Sequence, residues 1–140
     1  MRGYRKVLIA VNGSKHVLDQ GLRLANDEKT WVTIVKVIPL NEGELDLTGI
    51  KNIEDALDSG GKKALAEYKK TAESERTLVK MRLEEGAAHE KIVEVAGEEN
   101  CDLIIMGTPK IKHRLTKFFG DRTVEKVIHR SPCPVLVVGA

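Results

Sequence analysis

Cysteine is scarce in this sequence, and the two that are present fit no metal-binding or disulfide pattern. Cys101 and Cys133 stand alone, without a CxxC pair, and the four histidines are far apart along the chain. Proteins that depend on metal or disulfide staples carry such residues at short, fixed spacings. We therefore expect two buried, unpaired thiols that pack as small hydrophobic side chains, and no metal site.

Long apolar runs are also missing. No stretch approaches the roughly 20 apolar residues that cross a bilayer, and the basic segment 1–6 leads into too short an apolar run for a signal peptide. The apolar share of 41% and the charged share of 31% are those of an ordinary globular protein. A length of 140 residues predicts a single domain over residues 1–140. The lack of a membrane span and of a signal peptide predicts that the protein is located in the cytoplasm.

The chain has little net charge, +2, but this charge is unevenly distributed. Residues 1–39 carry seven basic and three acidic groups, residues 40–100 carry nine and fifteen, and residues 101–140 carry seven and three. Basic ends around an acidic middle favour an anionic ligand near the terminal segments over nucleic acid, whose binding proteins are usually basic throughout. We expect neither a nucleic-acid nor a membrane partner.

Apolar segments alternate with segments of helical period. Val7–Val11 and Leu103–Met106 are continuously apolar, which is typical of strands buried on both faces of a parallel sheet. Segment 77–83 alternates polar with apolar residues and predicts an edge strand. The other predicted elements are strands at 31–38 and 135–138 and helices that follow Ser14 and span 62–74, 88–96 and 123–130, with Val124, Val127 and Ile128 facing inward and Trp31 packed.

This alternation predicts an α/β fold, a doubly wound five-stranded parallel sheet with helices on both faces. Ligands of such sheets bind at the carboxyl ends of the strands, where the strand order reverses. The first and fourth strands are the most apolar, so we expect them to flank that reversal. The residues that follow them are Asn12-Gly13-Ser14 and Gly107-Thr108-Pro109-Lys110.

Four blocks, taken in order, resemble the universal stress protein family. They are VLIAVNGS at 7–14, the Glu85-Gly86 turn, CDLIIMGT at 101–108 and SPCPVLVV at 131–138. The resemblance runs from about Tyr4 to Val138. It implies the Rossmann-like fold of that family, which is shared with adenine nucleotide alpha hydrolases. It also implies a binding or regulatory module of the stress response rather than an enzyme.

The resemblance also implies where a nucleotide would bind. ATP-binding members have an Asp after the first strand and, after the fourth, Gly, two residues, Gly, nine residues, Gly, then Ser or Thr. In this chain Asn12, Lys110 and Asp121 depart from that pattern, while Gly107 and Gly120 keep its spacing. The implied site, with ATP and Mg²⁺ as its ligands, consists of Val11, Asn12, Gly13, Ser14, Val37, Gly107, Thr108, Lys110, Gly120, Asp121, Arg122 and Thr123.

The basic segment 110–122 leaves its own function open. Its basic residues are Lys110, Lys112, His113, Arg114, Lys117 and Arg122, and its single acidic residue is Asp121. One interpretation is a loop that binds ATP or another phosphate ligand through side-chain charge, where the family uses backbone amides. The other is a solvated run of charge without a ligand. A carboxylate at Asp121 would cap the next helix and repel phosphates.

No catalytic residue is predicted. Ser14 is expected to cap a helix rather than to act as a nucleophile, because no acid–base pair is placed to activate it. The alternative function is a nucleotide-hydrolysing or nucleotidyl-transferring enzyme of the same architecture. It would need a metal-binding carboxylate, for which Asp121 is the candidate in the loop.

The last strand predicts a homodimer. Family dimers commonly form by edge pairing of this strand, and an unpaired apolar edge favours aggregation. The expected interface residues are Val135, Leu136, Val137 and Val138.

Overall fold

The computed structural model describes residues 3–11, 15–25, 30–38, 66–67, 70, 78–108 and 121–139. Its strands are β1 (Lys6–Val11), β2 (Trp31–Ile38), β3 (Leu78–Glu85), β4 (Leu103–Gly107) and β5 (Val135–Val138). Its helices are α1 (Lys15–Leu24), α2 (Ala88–Glu98) and α3 (Asp121–Arg130). Residues 66, 67 and 70 are also helical, and the rest of the helix predicted at 62–74 lies outside the described residues.

All five strands are parallel, in the order β3-β2-β1-β4-β5. The α/β class and the doubly wound parallel sheet are confirmed. The order reverses between β1 and β4, the two strands that the sequence predicts to flank the reversal. Asp102, which precedes β4, links the amino ends of β1 and β4. Its carboxylate accepts hydrogen bonds from the backbone N–H groups of Arg5 and Lys6 at 3.0 and 3.2 Å.

The sheet separates two apolar layers, which explains why β1 is apolar after the exposed Lys6 and why β4 is apolar along its whole length. On one face, Val7 and Ile9 pack with Leu18 of α1. On the other, Leu8 packs with Ile92 of α2. Successive residues of a strand point to opposite faces, so a strand covered by helices on both sides has no position for an exposed polar side chain.

The strand β3 lies at one edge of the sheet, as its alternating sequence predicts. Its cations on the α2 side pair with carboxylates at the end of α2. Lys80 Nζ lies 2.8 Å from Glu99 Oε1, and Arg82 Nη2 lies 3.2 Å from Glu98 Oε1. These cations offset two carboxylates placed at the negative end of a helix. The strand runs two residues beyond its predicted end and stops before Gly86, whose φ of +142° favours glycine.

Two side chains that were expected to be buried are exposed. Val127 of α3 is fully buried, but Ile128 is 52% exposed, because each helical residue is rotated by about 100° from the last. Trp31 is 54% exposed. It begins β2 at the amino edge of the sheet, beyond the last residues of α2. The helix α3 begins at Asp121, two residues before the predicted start.

The two cysteines are free thiols, as predicted, and differ in burial. Cys101 is buried in the layer between the sheet and α2, whereas Cys133 is half-buried. Burial, with a smaller effect of the nearby Cys133, raises the pKa of Cys101 from 9.0 to about 11. Burial also raises the pKa of Cys133, against a lowering by its hydrogen bond to Ser131.

Cys101 should therefore be almost inert in the folded protein. A pKa about two units above the usual value lowers the thiolate fraction near neutral pH about 100-fold, before burial blocks access. In Cys133→Ser, where Cys101 is the remaining thiol, we expect alkylation only when the chain unfolds. In Cys101→Ala, Cys133 should react faster. Both rates can be followed by mass spectrometry with iodoacetamide, and rapid modification of native Cys133→Ser would contradict the structure.

Candidate functional site

A cavity of about 250 Å³ opens at the carboxyl ends of β1, β2 and β4, on the α2 and α3 side of the sheet; we name it the carboxyl-end cavity. It lies at the point where the strand order reverses, the place that the fold favours for ligands. Its lining residues are Ala10 and Val11 of β1, Val35 and Val37 of β2, Met106 and Gly107 of β4, Ala88 and Ile92 of α2, and Thr123 and Val124 of α3.

The side chains that line the cavity in the described part of the chain are apolar except for one hydroxyl, that of Thr123. Eight of the ten lining residues are aliphatic or methionine, and the remaining one is Gly107. Ligand pockets typically have such apolar walls with a few placed polar groups. The wall chemistry suits a flat, apolar ring more than a highly charged group.

The backbone of Val37 supplies a further polar group. In β2 the odd-numbered residues direct their backbone groups toward β1, since the Trp31 N–H donates to the Arg5 C=O at 2.7 Å. The ladder between the two strands ends at the pair Val11 and Lys36. The C=O of Val37 therefore points beyond the last residue of β1, at the mouth of the cavity.

The amino end of α3 closes another side of the cavity. Thr123 and Val124 belong to the first turn of this ten-residue helix and line the cavity. The first N–H groups of a helix have no partners within it, and this end carries a partial positive charge. The positive end of the α3 dipole therefore lies beside the apolar wall.

Gly107 keeps a position of the family's glycine pattern, but the structure gives this glycine a packing role. A Cβ built on Gly107 would collide with Cγ2 of Val17 in α1, on the face of the sheet opposite the cavity. The same helix approaches β1 closely at Gly21, where a Cβ would lie 2.8 Å from Cδ1 of Ile9. Close packing of α1 is therefore a sufficient reason for glycine at position 107.

The backbone amide of Thr108, another predicted site residue, is already in use. Its N–H donates to the C=O of Val138 at 2.9 Å and extends the ladder between β4 and β5. This amide serves the sheet, and the side chain of Thr108 is exposed.

The predicted site residues fall into three groups. Val11, Val37, Gly107 and Thr123 line the cavity together. Three more are sequence neighbours of these lining residues: Thr108, Asp121 and the exposed Arg122. Asn12, Gly13, Ser14, Lys110 and Gly120 lie outside the described residues.

Six lining residues were not predicted as site residues: Ala10, Val35, Ala88, Ile92, Met106 and Val124. Apolar residues of this kind cannot be told from core residues by type. Alternation along the strands was the available signal, because Ala10 and Val35 share the face that α2 covers.

Neither a metal cluster nor a membrane-spanning helix occurs among the described residues. No group of three or more His, Cys, Asp or Glu in that part of the chain is placed to hold a metal ion. None of its helices is long and apolar enough to cross a membrane.

Comparison with known proteins gives consistent matches along nearly the whole chain. The model of the Universal stress protein family matches residues 3–139. The universal stress protein MJ0531 of Methanocaldococcus jannaschii is 32% identical in an alignment of 145 positions that covers 96% of this chain and 82% of the relative.

Solved structures agree on the fold. Protein MJ0577, from the same archaeon, superposes with a TM-score of 0.76 and 27% identity over 98% of this chain and 96% of its own. A universal stress protein in complex with cAMP superposes with a TM-score of 0.72 over 96% of this chain and 97% of its own. The identity of that pair is 20%, so this likeness shows the fold alone.

Proposed function

Because this chain belongs to the universal stress protein family, we propose that the carboxyl-end cavity binds an adenine nucleotide. The observation that carries the proposal is the cavity itself. It has a volume of about 250 Å³ and apolar walls, and it lies at the strand reversal beside the amino end of α3. The protein then acts as a cytoplasmic binding and regulatory module of the stress response, not as an enzyme.

The base would lie in the apolar part of the cavity. Val35, Ile92 and Met106 line it from both sides, and none of them competes for hydrogen bonds. The C=O of Val37 at the mouth is an acceptor that suits the exocyclic amino group of adenine. A complex of one structural neighbour with cAMP supports an adenine nucleotide as the ligand class to test.

The phosphates would lie at the amino end of α3. Helix amides and the hydroxyl of Thr123 offer donors, and Lys110 and Arg122 would add positive charge. The residues that follow the two central strands, Asn12, Gly13, Ser14 and Gly120 among them, complete the proposed site. Because the Thr108 amide is bound to Val138, side chains would supply contacts that backbone amides supply in other ATP-binding members.

Calorimetric titration of the dialysed protein tests the proposal. We expect saturable heats with AMP, cAMP or ATP in the presence of Mg²⁺, and a rise in melting temperature with the same ligands, since a ligand at 100 times its Kd stabilises by about 2.7 kcal/mol. The absence of heat and of any shift at millimolar concentrations of all three would contradict it. If Mg²⁺-dependent phosphate release occurs and is lost in Asp121→Asn, the protein is instead an ATP-hydrolysing enzyme.

Lys110 should carry part of the affinity for phosphates. We expect Lys110→Ala to weaken ATP binding about ten-fold, the order of one charge-assisted hydrogen bond, and to weaken adenosine binding little. Lys126→Ala, on the exposed surface of α3, is the matched control and should bind ATP as the unaltered protein does. Equal effects of the two variants would show that general charge, not position 110, attracts the nucleotide.

The proposed module is a homodimer joined through β5. This strand forms the other edge of the described sheet, and its residues Val135–Val138 are all apolar and only half-buried. Ile128, on the helix that leads to it, adds exposed apolar surface. An apolar edge strand pairs readily with a second copy of itself.

Proline substitutions along β5 can separate pairing between copies from pairing within the sheet. The C=O groups of Pro134 and Val138 accept hydrogen bonds from β4 and the residue after it, so the backbone of Val137 points to the open edge. We expect Val137→Pro to give a folded monomer, and Leu136→Pro, whose lost N–H faces β4, to disrupt the sheet. Light scattering with circular dichroism measures both. A dimeric Val137→Pro, or an unaltered protein that is monomeric at micromolar concentration, would contradict the proposal.

A further inference from the structure

The sheet carries a second cavity, at the opposite ends of its strands. It has a volume of about 220 Å³ and is lined by Lys6, Trp31, Thr33, Lys80 and Glu99; we name it the amino-end cavity. Six steps along β2 separate Trp31 from Val37, or about 20 Å at the usual rise of a strand. The two cavities are therefore distinct, and a small ligand in one does not reach the other.

The cavity forms because α2 ends before the sheet does. Lys6, Trp31 and Leu78 are paired in register across β1, β2 and β3, and this row lies beyond the last residues of α2. Trp31 is 54% exposed and Leu78 44% exposed. An indole and an aliphatic side chain thus form an open apolar edge at the mouth of the cavity.

One buried residue of the cavity wall carries a hydroxyl group that has no hydrogen bond among the described residues. Thr33 is 6% exposed and lines the cavity. Among the residues that the structure describes, its side-chain hydroxyl makes no hydrogen bond. A buried hydroxyl without a hydrogen bond is unfavourable, so a ligand acceptor at this position would be stabilising.

The described residues that line the cavity carry a net charge of +1. Glu99 pairs with Lys80 at 2.8 Å and also lies 3.7 Å from Arg82. Lys6 has no ion pair within the described part of the chain. Of the lining residues, two are cationic and one is anionic, which leaves a net +1 at Lys6. A single anionic group on the ligand would balance it.

We propose that the amino-end cavity binds a small planar aromatic carboxylate. The ring would stack on Trp31, and the carboxylate would lie between the Lys6 ammonium and the Thr33 hydroxyl. The volume of about 220 Å³ is below the range of pockets for drug-sized ligands, which favours a ligand of one ring.

The chain contains its own reporter for this ligand. Trp31 is the only tryptophan, so a two-dimensional ¹H–¹⁵N spectrum shows one indole N–H signal. Titration with benzoate should move this signal to saturation, with a dissociation constant in the millimolar range or below. Benzamide, which is planar but neutral, and cyclohexanecarboxylate, which is anionic but not flat, should each bind at least about five-fold more weakly.

Variants separate a built site from general attraction to the surface. Lys6→Met and Thr33→Val, which keep side-chain size, should each raise the dissociation constant of benzoate about five- to ten-fold. Lys36→Met is the control, because Lys36 lies on β2 but on the face that α1 covers, and it should leave the constant unchanged.

The proposal would be overturned by a benzoate response that never saturates, by an equal response to benzamide, or by an unchanged dissociation constant in Lys6→Met. An indole shift that AMP causes and Lys6→Met abolishes would also overturn it, since the cavity would then bind a phosphate. Failure of AMP to bind anywhere would contradict the nucleotide proposal but leave this one standing.

Discussion

Ala88→Phe is expected to abolish adenine nucleotide binding while the protein stays folded. Ala88 is the first residue of α2 and lines the carboxyl-end cavity with a half-buried methyl group. A phenyl ring at this position would occupy the space of about 250 Å³ that we assign to the base. We expect affinity for AMP to fall at least 100-fold, or about 2.7 kcal/mol, as measured by calorimetry.

The neighbouring residue provides the matched control for this substitution. Ala87 is the N-cap of α2 and is exposed outside the cavity. Ala87→Phe adds the same ring, and we expect unchanged affinity for AMP. If Ala88→Phe binds AMP as the unaltered protein does, the base does not lie in this cavity. Melting curves of both variants check that neither has unfolded.

Gly107→Ala is expected to destabilise the protein without weakening nucleotide binding. The added methyl group would meet Val17 of α1, on the face of the sheet away from the cavity. Inserting a methyl group into a packed core costs about 1–3 kcal/mol, and we expect the free energy of unfolding in urea to fall by that amount. A phosphate role for this glycine predicts instead a loss of affinity.

A double-mutant cycle distinguishes these two roles. Val17→Ala alone should cost about 2 kcal/mol, since Val17 is fully buried. In the Gly107→Ala background it makes room for the new methyl group, so the two changes together should cost at least about 1 kcal/mol less than their sum. Additive costs, or a nucleotide affinity that the double variant loses, would contradict the packing role.

Apolar periodicity was sufficient to predict most of the fold. The continuous runs at 7–11 and 103–106 are buried between two layers, and the alternating segment at 77–83 is at an edge, because each pattern reflects which faces are covered. Ile128 and Trp31 were placed wrongly. The exposure of Ile128 depends on how wide a face of α3 packs against the rest of the protein, and that of Trp31 depends on where α2 ends. Neither property follows from local sequence.

Fewer residues of the candidate site than of the fold could be predicted from the sequence. Val11, Val37 and Thr123 were named because the resemblance to the family implies them, and all three line the cavity. Ile92 and Met106 could not be predicted, since a wall residue and a core residue look alike in sequence. Gly107 was identified for its spacing, while the constraint on it comes from Val17, about 90 residues away in the chain.

Methyl-resolved NMR during a titration with AMP tests the central claim most directly. We predict that the largest shifts fall on the methyl groups of Val35, Ile92 and Met106, which line the carboxyl-end cavity. The indole signal of Trp31 should stay in place, because it lies at the other end of β2. Saturating shifts that leave these three methyl groups unchanged, or no shifts at all, would contradict an adenine site at the carboxyl ends of the strands.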